Sequence, residues 1–206
     1  MRVFPVLLSL GVLARAGGVA AQPLEPFAGD PTPPPLVLPD LEGRQHRLAD
    51  YRGQVVLVNF WTTWCPPCVK EIPALQRLKV RMRDRPFTIL AVNVADSRAL
   101  SLAYLARFSA DFTVLLDEAG TTVKPWKVYV FPTSFLVDAE GRIRSAIVGA
   151  LDWDAQETLA AIETLMPDTS RGRREEVLRV PKPKSPPVDT KGTRKDSTAE
   201  DAEQAL

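Results

Sequence analysis

Val58-Asn59-Phe60-Trp61-Thr62-Thr63-Trp64-Cys65-Pro66-Pro67-Cys68 is the stretch that decides the fold. Its left half continues Gln54-Val55-Val56-Leu57, so residues 54–60 form an apolar, β-branched run. A strand covered on both faces has that composition. To the right, Ile72, Leu75, Leu78 and Met82 repeat at helical spacing, which predicts a helix over residues 67–83. The chain's only two cysteines therefore lie at a strand-to-helix junction. A thiol at a helix N-terminus meets unpaired backbone N–H groups and the positive end of the helix dipole, and both favour the thiolate. With two residues between them, the second thiol can attack a mixed disulfide formed on the first. Chain direction assigns attack to Cys65, at an exposed lip, and resolution to Cys68, inside the first turn. Pro66 and Pro67 stiffen the loop and withdraw two N–H donors, so the acidification of Cys65 is expected to be moderate.

Other uses of a cysteine pair compete with this one. A permanent structural disulfide would staple a loop of only two residues. A zinc site would need a second pair, and His46 is the chain's one imidazole. Two ordinary buried cysteines leave the Trp-Cys-Pro-Pro-Cys setting unexplained. A redox dithiol uses all of these features.

Further out, the pattern alternates. Phe87 to Val94 reads as a second buried strand, Ser97 to Phe108 as a helix, and Phe112 to Leu116 as a short strand. Thr133 to Val137 and Arg142 to Val148 read as strands joined by the turn Asp138-Ala139-Glu140-Gly141, and Asp154 to Leu165 as a closing helix. Leu36 to Tyr51 carries short strand-like pieces around a turn at Glu42-Gly43. This order predicts an α/β sandwich with a central mixed β-sheet flanked by helices.

The ends read differently. Arg2, the apolar run Val3 to Ala14 and the small residues up to Ala21 predict an export signal over residues 1–21, with an uncleaved N-terminal membrane anchor as the alternative. Residues 22–35, rich in proline, read as an extended linker. The folded domain is expected over residues 36–169. From Ser170 to Leu206 there is no aromatic residue, basic residues crowd the first part and acidic ones the last, so residues 170–206 read as a disordered charged tail. Lys and Arg number 26 against 25 Asp and Glu, a formal charge of +1, which gives no general attraction to nucleic acid.

The quoted motif resembles the thioredoxin superfamily, specifically the TlpA/ResA-like exported thiol–disulfide oxidoreductases, and the resemblance runs from about Leu36 to Leu165. Phe131-Pro132-Thr133-Ser134-Phe135 resembles the family's cis-proline loop, Asp138 to Arg142 its following hairpin, and Pro73 the proline that kinks its active-site helix. Glu71 matches an acidic residue beside the active site. The resemblance implies a thioredoxin-like fold and a redox-active disulfide between Cys65 and Cys68. It also implies a substrate groove bordered by Trp64, Phe131 and Pro132, and no cofactor or metal. The expected activity is reduction of protein disulfides in the periplasm by a monomer fed from a membrane-bound electron donor. At i+3 from Cys68, a partly buried Glu71 would have a raised pKa and could accept the Cys68 proton.

Two positions depart from the pattern. Asn59 stands where cytosolic thioredoxins keep a buried aspartate, and Val130 where many relatives have glycine. Trp61 suits core or lip, Trp126 and Tyr129 are placed at the groove's border, and His46 is read as a surface residue without a role. Three other activities remain in view. A thiol oxidase or isomerase uses the same fold and differs only in redox potential. A copper-binding assembly factor of the SCO type would need three residues between its cysteines and a later histidine, and neither is present. A thiol peroxidase fits the spacing of Thr62 and Cys65, but Val58 replaces the proline it requires.

Overall fold

The apolar run that opens the motif becomes the middle of a sheet. The computed structural model describes residues 24–167. Its elements are β1 (Val37–Pro39), β2 (Gln45–Arg47), a 3-10 helix (Leu48–Tyr51), β3 (Val55–Trp61), α1 (Pro66–Arg81) and β4 (Phe87–Val94). They continue with α2 (Arg98–Leu105), β5 (Thr113–Asp117), β6 (Thr133–Val137), β7 (Ile143–Val148) and α3 (Gln156–Glu163). The main sheet has the order β5-β4-β3-β6-β7. β3 is parallel to β4 and antiparallel to β6, with Val58 opposite Leu90 on one side and Phe135 on the other. This is the mixed, helix-bearing sheet that the sequence pattern implies. The expected export signal at 1–21 and the expected tail at 170–206 lie outside the described residues.

Every residue of β3 is buried, and successive side chains feed opposite faces. Val55, Leu57 and Trp61 join Ile72, Leu75 and Leu78 of α1, Leu105 of α2 and Ile162 of α3. Val56, Val58 and Phe60 join Leu36, Leu38, Leu48, Trp126 and Val128 on the other face. By this alternation Asn59 points to the α1 face, which places an amide beneath the active-site helix. α1 continues through Pro73 to Arg81.

The described part of the proline-rich stretch runs along β7: Phe27 N–H donates to Arg144 O (2.8 Å), Ile143 N–H donates to Pro31 O (2.7 Å), and Pro26 bridges Ser145. Few N–H groups suffice because only β7's outer edge needs covering. His46 is not an idle surface residue. Its ring lies between the Asp40 carboxylate (Nε2 to Oδ2, 2.9 Å) and the Tyr51 hydroxyl, so it ties β2 to the start of the hairpin and to the 3-10 helix. Asp40 also accepts hydrogen bonds from the Glu42 and Arg44 N–H groups (2.9 Å each). Burial alone would raise its pKa, but the bonds from His46, Arg44 and Glu42 outweigh this and hold it at about 2.

Because the folded value lies below the unfolded one, the stabilisation is complete above pH 3.8 and is lost as pH falls through about 2. Asp40→Ala is expected to cost about 2 kcal/mol in urea unfolding at pH 7. The gap from the parent protein should narrow toward pH 2. A cost that does not change with pH would contradict this reading of Asp40.

Candidate active site

Where β3 ends, the chain makes one turn and enters α1. Cys65 is the N-cap of that helix, with extended backbone, and Pro66 and Pro67 occupy the first helical positions, where a missing N–H costs no helical bond. Cys65 N–H donates to Thr62 O (3.4 Å), which closes the turn. Cys65 and Cys68 form a disulfide with Cα atoms 5.3 Å apart. Cys68 N–H points at Cys65 Sγ (3.3 Å), so the first sulfur occupies the place of a capping oxygen. The prolines leave that single N–H as the recorded donor to the sulfur. The lip is more covered than the sequence suggests, with Cys65 5% exposed and Cys68 1% in the oxidised form. The order of accessibility is the expected one.

Glu71 lies one turn further along α1 and is 3% exposed. Its carboxyl accepts from Leu151 N–H (3.0 Å), Trp153 Nε1–H and Asn59 Nδ2–H (3.2 Å). Asn59 also donates to Ser134 Oγ on β6 (2.9 Å). The buried acid of this region therefore comes from α1, one turn beyond Cys68, and β3 supplies one of its donors through Asn59. Burial raises its pKa more strongly than these three donors lower it, and the net value is about 7. At neutral pH such a group can both take and return a proton.

The Phe131–Pro132 peptide is cis. Thr133 Oγ1 donates to Val130 O (2.7 Å) and Gly149 N–H to Pro132 O (2.8 Å), so the loop is tied to β6 and to the end of β7. The Phe131 ring meets Trp64 edge-to-face with centroids 5.9 Å apart. This contact joins the cis-proline loop to the residue before Cys65. Trp64 remains 66% exposed, and Tyr129 and Val130 are also open to solvent. Trp61 takes the core alternative, buried and leaning on Tyr104. Trp126 does not border the groove: it is buried on the far face of the sheet between Phe60 and Phe135. Although close in sequence to the loop, residue 126 precedes the chain's return to the surface at Tyr129.

Several residues of the site escaped the sequence reading. Leu151 and Trp153 supply two of Glu71's three donors from more than 75 positions away. Asp96 holds Thr63 just before the motif's second tryptophan. No local spacing announces either contact.

A raised folded pKa means that protonated Glu71 favours the folded state. Stability from this group is fully present below pH 4.5 and is lost as pH rises through about 7. In Glu71→Gln that loss, on the order of 3 kcal/mol, should largely vanish. Parallel denaturant titrations of both proteins from pH 4.5 to pH 8 check this. An equally steep decline in the variant would show that another group titrates.

The comparisons with known proteins agree with this geometry. Residues 28–146 match the model of the AhpC/TSA family. The thiol-disulfide oxidoreductase ResA of Geobacillus thermodenitrificans is 39% identical over 120 residues, 58% of this chain and 69% of that protein. A crystal structure described as a thiol:disulfide interchange protein DsbE from Chlorobium tepidum shares 32% identity at a TM-score of 0.60, covering 68% of this chain and 99% of the other. A secreted thiol-disulfide isomerase from Corynebacterium glutamicum superposes at a TM-score of 0.56 with 25% identity, over 63% of this chain and 84% of that one. With its buried five-stranded sheet, its disulfide capping α1 and its cis-proline loop, the chain belongs to the AhpC/TSA family, among the ResA-like thiol–disulfide oxidoreductases.

Proposed function

We propose that this thiol–disulfide oxidoreductase is exported and reduces disulfides in other proteins. The observation that carries the reading is the Cys65–Cys68 disulfide at the head of α1, one helical turn before a buried Glu71 held near neutrality. In the reduced protein, the Cys65 thiolate attacks a substrate disulfide. One S–S bond breaks, one forms, and a substrate sulfur leaves as a thiolate that takes a proton. Cys68 then gives its proton to Glu71 and attacks Cys65 Sγ, expelling the second substrate sulfur. Two electrons pass to the substrate and the Cys65–Cys68 bond closes. Trp64 and the cis-proline loop at Phe131 and Pro132 border the place where the substrate strand lies, and the exposed Trp64 ring offers it an apolar contact.

The export signal over residues 1–21, the charged tail over 170–206 and a periplasmic location are part of the same proposal. The signal-like composition of the leader supports export, as does the likeness to a protein described as secreted. No helix among the described residues is long and apolar enough to cross a membrane. Each cycle leaves the pair oxidised, so a separate donor must restore it, and for a monomer outside the cytoplasm a membrane-bound dithiol fills that place. The second reading is an isomerase, favoured by the likeness to the secreted thiol-disulfide isomerase of Corynebacterium glutamicum.

The redox potential separates the two. With one N–H aimed at Cys65 Sγ and two prolines withholding others, the thiolate is only moderately stabilised, which makes the couple reducing. Equilibration with glutathione is expected to give a potential nearer about −270 mV than about −120 mV. A value above about −180 mV would move the protein to the isomerase or oxidase reading.

A further inference from the structure

Asp96 lies just beyond β4, outside the Trp-Cys-Pro-Pro-Cys motif, and its carboxylate is buried. β4 runs parallel to β3, so both strands end on the same side, and Asp96 reaches from the end of one to the end of the other. Its Oδ2 accepts from Thr63 N–H (2.7 Å) and Asn93 Nδ2–H (2.9 Å), and its Oδ1 from Thr63 Oγ1–H (3.0 Å). Asn93 is itself fixed by Ser101 Oγ–H on α2 (3.0 Å). The turn that aims Asp96 is a strained one: Ala95 has φ of 60°, a left-handed conformation that non-glycine residues rarely adopt, and its N–H is tied to Asp117 O (3.0 Å). Strain of this kind persists only where the surroundings hold it in place.

All three donors to Asp96 are neutral, and among the described residues no Lys, Arg or His pairs with it. No cation among the described residues therefore offsets the Asp96 carboxylate, which lies against the loop that carries Cys65, two residues past its Thr63 anchor. The other charged groups toward this end of the sheet are Glu71, buried on α1, Lys70, exposed on the same helix, Asp117, buried at the end of β5 with its carboxylate held by Thr121 and Thr122, and Arg98 and Glu118, both exposed, with the Arg98 guanidinium turned to Leu41 O. A buried anion acts against a nearby thiolate, whereas the helix N-terminus acts for it.

We infer that Asp96 is a positioning residue that grips the active-site loop through Thr63 and, by its charge, keeps the Cys65–Cys68 couple reducing. This rests on the dithiol-exchange reading above. It assigns the poise of the couple to a group outside the motif, so that two chains with identical Cys-Pro-Pro-Cys loops would differ in potential according to what stands here.

The test compares Asp96→Asn, which keeps the shape and one oxygen acceptor but removes the charge, with Asp96→Glu, which restores the charge. Each folded protein is equilibrated with reduced and oxidised glutathione, where the dithiol becomes the disulfide as one oxidised glutathione becomes two reduced ones. The pH profile of Cys65 alkylation is read in parallel. Asp96→Asn is expected to shift the glutathione equilibrium toward the dithiol by at least about threefold and to move the alkylation midpoint to lower pH. Asp96→Glu should stay closer to the parent protein in both. If Asp96→Asn does not fold, Asp96→Gln against Asp96→Glu makes the same charge comparison at matched length. An equilibrium and an alkylation profile unchanged by loss of the charge, or a shift toward the disulfide, would overturn the inference. If the parent protein itself reaches no defined equilibrium with glutathione, the dithiol-exchange reading fails, and the two failures are thereby told apart.

Discussion

Residues 62 to 65 carry the constraint on which the active-site end depends. β3 must be buried on both faces to hold the sheet together, and it runs almost directly into α1. The turn between them has one hydrogen bond of its own, from Cys65 N–H to Thr62 O, and it delivers Cys65 to the N-cap. A cysteine there can cap the helix with sulfur and meet the helix dipole, because the capping position asks only for a short side chain with an acceptor. Moving the pair one residue along would put the first sulfur inside the helix, where the dipole and the N–H of residue 68 no longer face it.

Two buried acids flank this junction from different elements. Glu71 is held by donors from β3, the stretch after β7 and a tryptophan before α3, so its position depends on the whole α1 face of the domain being assembled. Asp96 is held by the loop it grips and by Asn93 of β4. Burial raises the pKa of Glu71 to about 7, so this carboxyl changes its charge near neutrality. Asp96 has hydrogen-bond donors around its carboxylate and fixes the loop.

Much of this was legible in the chain. The run around Asn59 announces a doubly covered strand, because no polar alternation marks a solvent face. The Thr133 to Val137 strand and the hairpin after it were readable from β-branched composition and a glycine turn, and the observed strand has those bounds. The i+3 spacing of Glu71 from Cys68 pointed to its neighbourhood. What sequence does not carry is the identity of distant partners: Leu151, Trp153 and Asp96 act across 33 to 82 positions. Trp126 was misplaced for a related reason, since an aromatic near a functional loop reads the same whether it lines the groove or fills the core. His46 escaped because its role requires Asp40 and Tyr51 to converge, which the hairpin's register decides.

The central claim is the division of labour between the two sulfurs, and trapping tests it most directly. Reduced Cys68→Ala protein is mixed with an oxidised substrate protein, quenched with acid, and mapped by mass spectrometry, with Cys65→Ala treated in parallel. The account predicts a long-lived mixed disulfide on Cys65 in the first variant and little or none on Cys68 in the second, because only Cys65 holds the helix N-cap and it is the less buried of the pair. Equal trapping on Cys68 in the Cys65→Ala protein, or none on Cys65 in the Cys68→Ala protein, would contradict it.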